Sequence, residues 1–144
     1  MPNDITPTMD TFQGNTPSLD STGSVADIRY KVRTVDKTAA YSCTRADSGT
    51  HFTQSGGPVV FTLPAVADSA GCEYWFASLS GVNDDLTITA PTGTMVAFHN
   101  TAATSVALST NAMVLGAIIH VVCTGTKWIS GVEVGNILQV ITVS

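Results

Sequence analysis

The stretch from Tyr41 to Pro64, YSCTRADSGTHFTQSGGPVVFTLP, limits what this chain can become more than any other. Tyr41 and Cys43 alternate with Ser42 and Thr44, the period of a strand with one buried face. Ala46-Asp47-Ser48-Gly49 follows with the chemistry of a turn. Asp and Ser side chains bond nearby amides there, and Gly accepts φ > 0 without a Cβ clash. Alternation resumes around Phe52 from Thr50 to Gln54, breaks at Ser55-Gly56-Gly57-Pro58, and returns from Val59 to Leu63 before Pro64 stops it. Strand, turn, strand, turn, strand predicts an antiparallel meander in an all-β chain.

The rest of the chain is punctuated in the same way. Ile28 to Arg33 alternates apolar and basic residues. This predicts a strand with a cationic outer face, either an edge protected by charge or a partner for a neighbour's acidic segment. Pro64 to Gly71 predicts one short helical turn closed by Gly71. Cys72 to Ser78 carries Tyr74, Trp75 and Phe76 in succession, so aromatic bulk falls on both faces of a strand. One face fills the core, and the other is covered by a loop or a subunit contact. Leu86 to Ala90 and Met95 to Phe98 read as strands about Pro91-Thr92-Gly93, and Ser105 to Leu108 as another. Val114 to Cys123 and Lys127 to Ser130 read as a hairpin across Gly125-Thr126. Ile137 to Val143 is apolar on both faces, as in a strand buried on both sides or exchanged with a neighbour. The turn spacing predicts an antiparallel β-sandwich or squashed barrel of about eight to ten strands.

Tyr41-x-Cys43-Thr44-x-x-Asp47-Ser48-Gly49-x-x-Phe52, followed by Val59-Val60-Phe61-Thr62-Leu63-Pro64, resembles a β-domain common in virion proteins of tailed bacteriophages. That domain occurs in head decoration (cement) proteins, head fibres and tail fibres. The likeness continues through Gly71 to Phe76, Leu86-Thr87-Ile88, and Gly125 to Gly131. The resemblance implies a β-tulip-like domain, a homotrimer and a virion role. It supplies no catalytic residues.

Residues 1–28 differ from residues 29–144, and the two are expected to be an extended N-terminal arm and a β-domain. The first segment has four acids (Asp4, Asp10, Asp20, Asp27) and no Lys or Arg, so it carries four of the five net negative charges. Its apolar residues Ile5, Met9, Phe12 and Leu19 follow no period, so it cannot form a core alone. These four side chains are the expected partner-binding contacts, on a neighbouring subunit or on the major capsid protein.

Charged residues make up 12% of the chain, about half the roughly 25% of ordinary soluble domains, and mean hydropathy is +0.25. Some apolar surface is therefore expected to be covered by other subunits, with Trp75, Ile137, Val140 and Val143 as candidate interface residues. A net charge of −5 and a pI near 4.8 argue against a phosphate-binding surface and hence a nucleic-acid partner. The longest apolar run, Ala112 to Cys123, contains Gly116 and His120 and is too short for a membrane span. The N-terminus has neither the basic nor the apolar region of a signal peptide. Three cysteines without a C-x-x-C spacing indicate neither a disulfide framework nor a zinc site. Cys43 and Cys123 read as small buried hydrophobes. Assembly in a host cytoplasm and residence on the capsid surface of a virion are expected.

No constellation points to an enzyme. His51, His99 and His120 are far apart in sequence, and no metalloprotease, nucleophile-elbow, P-loop or dinucleotide motif is present. His120, in an apolar run, is expected to be a hydrogen-bonded core histidine. Asn83-Asp84-Asp85 raises a calcium loop, but three side chains fall short of the six to eight oxygens Ca²⁺ takes, and turn chemistry accounts for them. No catalytic residue, cofactor or metal is expected. Two functional classes fit: a cement protein that binds and stabilises the head lattice, and a tail-fibre or spike module binding host-surface glycans. One compact domain plus an arm favours the first.

Overall fold

The computed structural model describes residues 18–19, 25–27, 31–80, 84–108, 115–134 and 141–144. The chain divides into two compact units, Met1–Lys31 and Val32–Ser144. In the first, β1 (Ser18–Leu19) pairs antiparallel with β2 (Val25–Asp27). Leu19 falls in β1, whereas Ile5, Met9 and Phe12 lie outside the described residues.

The second unit is all-β. Among the described residues it has no α-helix, only 3-10 turns at Arg45–Asp47 and Val66–Asp68. The second of these lies inside the helical turn expected between Pro64 and Gly71. Its strands form two mixed sheets of seven and five. The larger runs in the order β10 (Asn100–Ala103), β9 (Met95–Ala97), β13 (Trp128–Val134), β12 (Ile118–Cys123), β7 (Glu73–Ser78), β5 (Thr50–Gln54), β3 (Arg33–Lys37). The smaller runs β14 (Ile141–Val143), β11 (Ser105–Leu108), β8 (Leu86–Thr89), β6 (Val59–Thr62), β4 (Tyr41–Ser42).

From β3 to β8 successive strands alternate between the sheets, and neighbours within a sheet run parallel: β3 with β5, β5 with β7, β4 with β6, β6 with β8. Later strands pair antiparallel, except that β13 runs parallel to β9. β12 joins the later strands to β7, and β11 joins them to β8.

This winding corrects the antiparallel meander. The strand segments around Tyr41, Phe52 and Phe61 are present, but β5 pairs with neither β4 nor β6. Alternation fixes which face of a strand is buried and leaves its partner open. The 3-10 turn at Arg45–Asp47 and Gly49 at φ +81 carry the chain across to the other sheet. There the Gly49 amide donates to the Glu73 carbonyl at 2.9 Å. The same crossings divide the second unit into more, shorter strands than the expected eight to ten. The strand read from Ile28 to Arg33 also moves: β3 begins at Arg33, and residues 28–30 lie outside the described residues. The strand read to Phe98 stops at Ala97, because Phe98 enters a turn at φ +54.

Aromatic rings from both sheets meet in one core. Phe52 and Phe76 of the larger sheet lie 5.4 and 4.8 Å from Phe61 of the smaller, centroid to centroid. Tyr74 and Trp128 join them, 5.7 Å apart. Each buried polar tip is satisfied: Trp128 Nε1 donates to the Pro64 carbonyl at 3.1 Å, and the Tyr74 hydroxyl to the Thr44 carbonyl at 2.8 Å. All three cysteines are buried and unpaired by disulfides, and burial pushes the Cys43 thiol up to about 12.

Candidate functional site

The outward face of the seven-stranded sheet is built by the same alternation that builds the core. Along β7, Tyr74, Phe76 and Ser78 are buried, whereas Glu73, Trp75 and Ala77 are half-buried on the other side. β5 contributes His51 and Thr53 to that side, β12 contributes Ile118, His120 and Val122, and β9 contributes Val96. On β13, Ile129 and Gly131 are exposed.

Strand register assembles three of these side chains into a row. His51 lies opposite Trp75, and Trp75 opposite His120. Their rings stack nearly parallel, His51 to Trp75 at 4.5 Å and 14°, Trp75 to His120 at 4.3 Å and 6°. Those spacings approach the 4.7–4.9 Å between neighbouring strands, so the row carries one ring per strand. His120 Nε2 sits 3.2 Å from Glu73 Oε2. His120 is thus an outward, half-buried residue within hydrogen-bond distance of Glu73, which corrects its expected place in the core. The apolar run around it has a solvent-side phase, and His120 falls in that phase.

This geometry favours some chemistry over other chemistry. Both faces of the Trp75 indole carry an imidazole, so the ring offers no open face of the kind a stacked sugar uses. The two imidazoles are separated by the indole and do not converge on one point. Among the described residues no group of three or more His, Cys, Asp or Glu side chains could hold a metal ion. Around the row the face is aliphatic (Val96, Ile118, Val122, Ile129), and it carries two acids among the described residues, Glu73 beside His120 and Asp36, which accepts from the Thr53 hydroxyl at 2.8 Å. Aromatic enrichment with few charges is the composition of the buried centre of a protein contact.

A second polar cluster lies near the β3 edge. The buried Asp47 accepts hydrogen bonds at Oδ2 from the Thr44 amide (2.9 Å), the Thr44 hydroxyl (2.8 Å) and the Tyr41 hydroxyl (3.0 Å). Arg33 Nη2 approaches Oδ1 at 3.5 Å, and Lys37 Nζ lies 3.6 Å above the Tyr41 ring centre. Burial pushes the Asp47 carboxyl up, but these donors and the guanidinium outweigh it and hold the group below its ordinary value. Asp47 ties β3 and β4 to the crossing from β4 to β5, and the contacts named here are all within the fold.

The remaining sequence-derived candidates separate. Trp75 stands at the centre of the row. Val143 is half-buried and packs against the protein's own core, on a strand paired with β11. Ile137 and Val140 lie outside the described residues. Asp84 accepts from the Ser80 hydroxyl, and Gln54 Nε2 donates to the Asp84 and Asp85 carbonyls at 3.3 Å each, so these two residues close a loop against the core. Sequence reading missed the His–Trp–His row. Each member stands in the outward phase of its strand, which was readable. The register that unites residues 51, 75 and 120 was not.

No protein-family model, no characterised protein and no solved structure matches this chain.

Proposed function

We propose that the chain is a bacteriophage virion structural protein, a capsid decoration protein that binds and stabilises the head lattice. The observation that carries this reading is the outward sheet face: an aromatic and aliphatic surface, poor in charge, which suits contact with protein. The resemblance in the Tyr41 to Pro64 segment supplies the virion context. In this reading the two sheets form a β-tulip-like sandwich and residues 1–28 form an extended arm. Ile5, Met9, Phe12 and Leu19 of the arm seat on the major capsid protein or a neighbouring subunit. The protein acts as a homotrimer on the capsid surface, without catalytic residues or cofactor. The covered faces of Trp75 count against the alternative of a tail-fibre module that stacks glycans.

Co-sedimentation with undecorated heads tests the reading. The full chain is expected to saturate the heads at a fixed stoichiometry. A chain starting at Val32, the boundary of the second compact unit, is expected to stay folded and bind much more weakly. Absence of the full chain from both the sedimented heads and the intact particle would overturn the proposal.

A further inference from the structure

The pairing of β12 with β7 ends at two cysteines. The Gly71 amide donates to the Cys123 carbonyl at 2.9 Å, and the Cys123 amide donates to the Cys72 carbonyl at 2.9 Å. Two residues of one strand thus oppose one of the other, the pattern of a β-bulge with glycine first. Gly71 stands at φ +80, as that position requires. Beyond the bulge the register is regular, with Glu73 opposite Val122 and Tyr74 opposite Val121. Cys72 therefore shares the inward phase of Tyr74 and Phe76, and Cys123 that of Ile119 and Val121. Both cysteines are buried, at 8% and 2% exposure.

Opposite, inward and joined by backbone hydrogen bonds, these residues stand where a cross-strand disulfide fits. A hydrogen-bonded antiparallel pair holds its Cα atoms about 5.5 Å apart, within the roughly 4.4–6.8 Å that a disulfide spans. Cys43 is placed differently. Its amide donates to the Thr62 carbonyl, which puts it beside the smaller sheet, and facing sheets stand about 10 Å apart. Burial also pushes its thiol up to about 12, so it stays protonated and inert at neutral pH.

The cover over the pair is thin. Cys123 Sγ donates to the Val66 carbonyl at 3.6 Å and accepts from the Gly125 amide at 3.4 Å. Val66 opens the 3-10 turn Val66–Asp68, none of whose residues is buried. A segment with few buried contacts opens locally more readily than the sheet beneath it, and its opening admits a small molecule to the sulfurs. We propose that Cys72 and Cys123 are a redox-sensitive pair, thiols in a reducing compartment and a disulfide on exposure to a small-molecule disulfide such as oxidised glutathione. The thiolate of Cys72, the more exposed of the two, attacks one sulfur of the oxidant and releases a first small thiol. Rotation about the Cys123 Cα–Cβ bond trades the Val66 carbonyl for the Cys72 sulfur. The Cys123 thiolate then attacks that sulfur and releases the second small thiol. The protein gives up two protons and two electrons, and the oxidant takes them up as two thiols. The new bond fastens β7 to β12, the seam where the later strands join the early winding. The inference is independent of any virion role.

Non-reducing peptide mapping of the full chain, before and after incubation with oxidised glutathione at pH 8, tests it. One peptide pair joined through Cys72 and Cys123 is expected, with Cys43 left as a thiol. The oxidised chain is expected to melt about 5–10 °C above the reduced chain, because closing a long loop restricts the unfolded state. A reductant is expected to reverse the gain. Cys72→Ala and Cys123→Ala are each expected to abolish the difference, whereas Cys43→Ala keeps it. Failure of the Cys72–Cys123 link to form in the folded chain would overturn the proposal. So would a link from either residue to Cys43 or to a second chain, or a linked chain that melts no higher than the reduced one.

Discussion

Tyr74, Trp75 and Phe76 are consecutive on one strand yet serve two different surfaces. Phe76 contacts Phe52 of its own sheet and Phe61 of the other, so its ring holds the two sheets together. Trp75 is stacked along a single sheet between His51 and His120. The inward rings join elements distant in the chain, and the outward ring lines up neighbours already joined by backbone hydrogen bonds. Aromatic content therefore says little about stability until the face is known. A residue that contributes little to folding is also one that can be committed to contact with another molecule.

The sharpest test of that contrast is a pair of truncations. Phe76→Ala is expected to destabilise by about 3–5 kcal/mol in urea unfolding, the usual cost of emptying a core aromatic site. Trp75→Ala is expected to cost about 1 kcal/mol, because the cross-strand pairs it loses contribute at most about that much each. Equal losses would abolish the distinction between the faces.

Asp47 comes next in size. Removing it strands the Thr44 amide and the Thr44 and Tyr41 hydroxyls, so Asp47→Ala is expected to cost about 2–3 kcal/mol. Its carboxyl titrates below the ordinary 3.8 in the folded protein. The unfolded chain therefore takes up the proton first, and the contribution is complete above about pH 4 and lost as pH falls below it. Urea midpoints between pH 6 and pH 3 are expected to drop for the wild type, and to drop less for Asp47→Asn.

Cys43 sets the behaviour at the alkaline end. With its thiol pushed up to about 12 by burial, the unfolded chain ionises first, and this group's contribution is present below about pH 9 and declines above it. Native Cys43 is expected to resist alkylation at pH 8, whereas denatured protein reacts. Rapid labelling of the native thiol would contradict its placement in the core.

The smallest effect has the opposite sign. Thr50 is inward and fully buried, and its hydroxyl has no hydrogen-bond partner among the described residues. Replacement by Val removes an unsatisfied polar group at nearly constant volume, and a gain of about 1 kcal/mol is expected in the same urea assay. A loss would show that the inward face needs this hydroxyl.

Legibility followed the range of the interaction. The hairpin of β12 and β13 across Gly125-Thr126 was readable because its pairing is local. So was the two-faced strand at Cys72 to Ser78, because period-two alternation is a property of single strands. The parallel partners were not readable. Val59 to Leu63 is an inward-alternating strand whether it pairs with β5 or, as it does, with β4 and β8. The site failed for the same reason: His51 and His120 carry no sequence mark of a shared neighbour.

The alternate winding of β3 through β8 also sets an order of events. Phe52 pairs with Phe76, and Phe61 with Ile88, each across roughly two dozen residues, so these ladder hydrogen bonds wait until a whole circuit of chain has been laid down. The hairpin of β12 and β13 can close within microseconds of being made. During synthesis the early circuits therefore wait, with the β7 edge bare until Ile118–Cys123 emerges and docks against it. An edge left open for that interval invites pairing with another nascent chain, so a slow stretch of translation before Ile118 would convert a folding delay into aggregation.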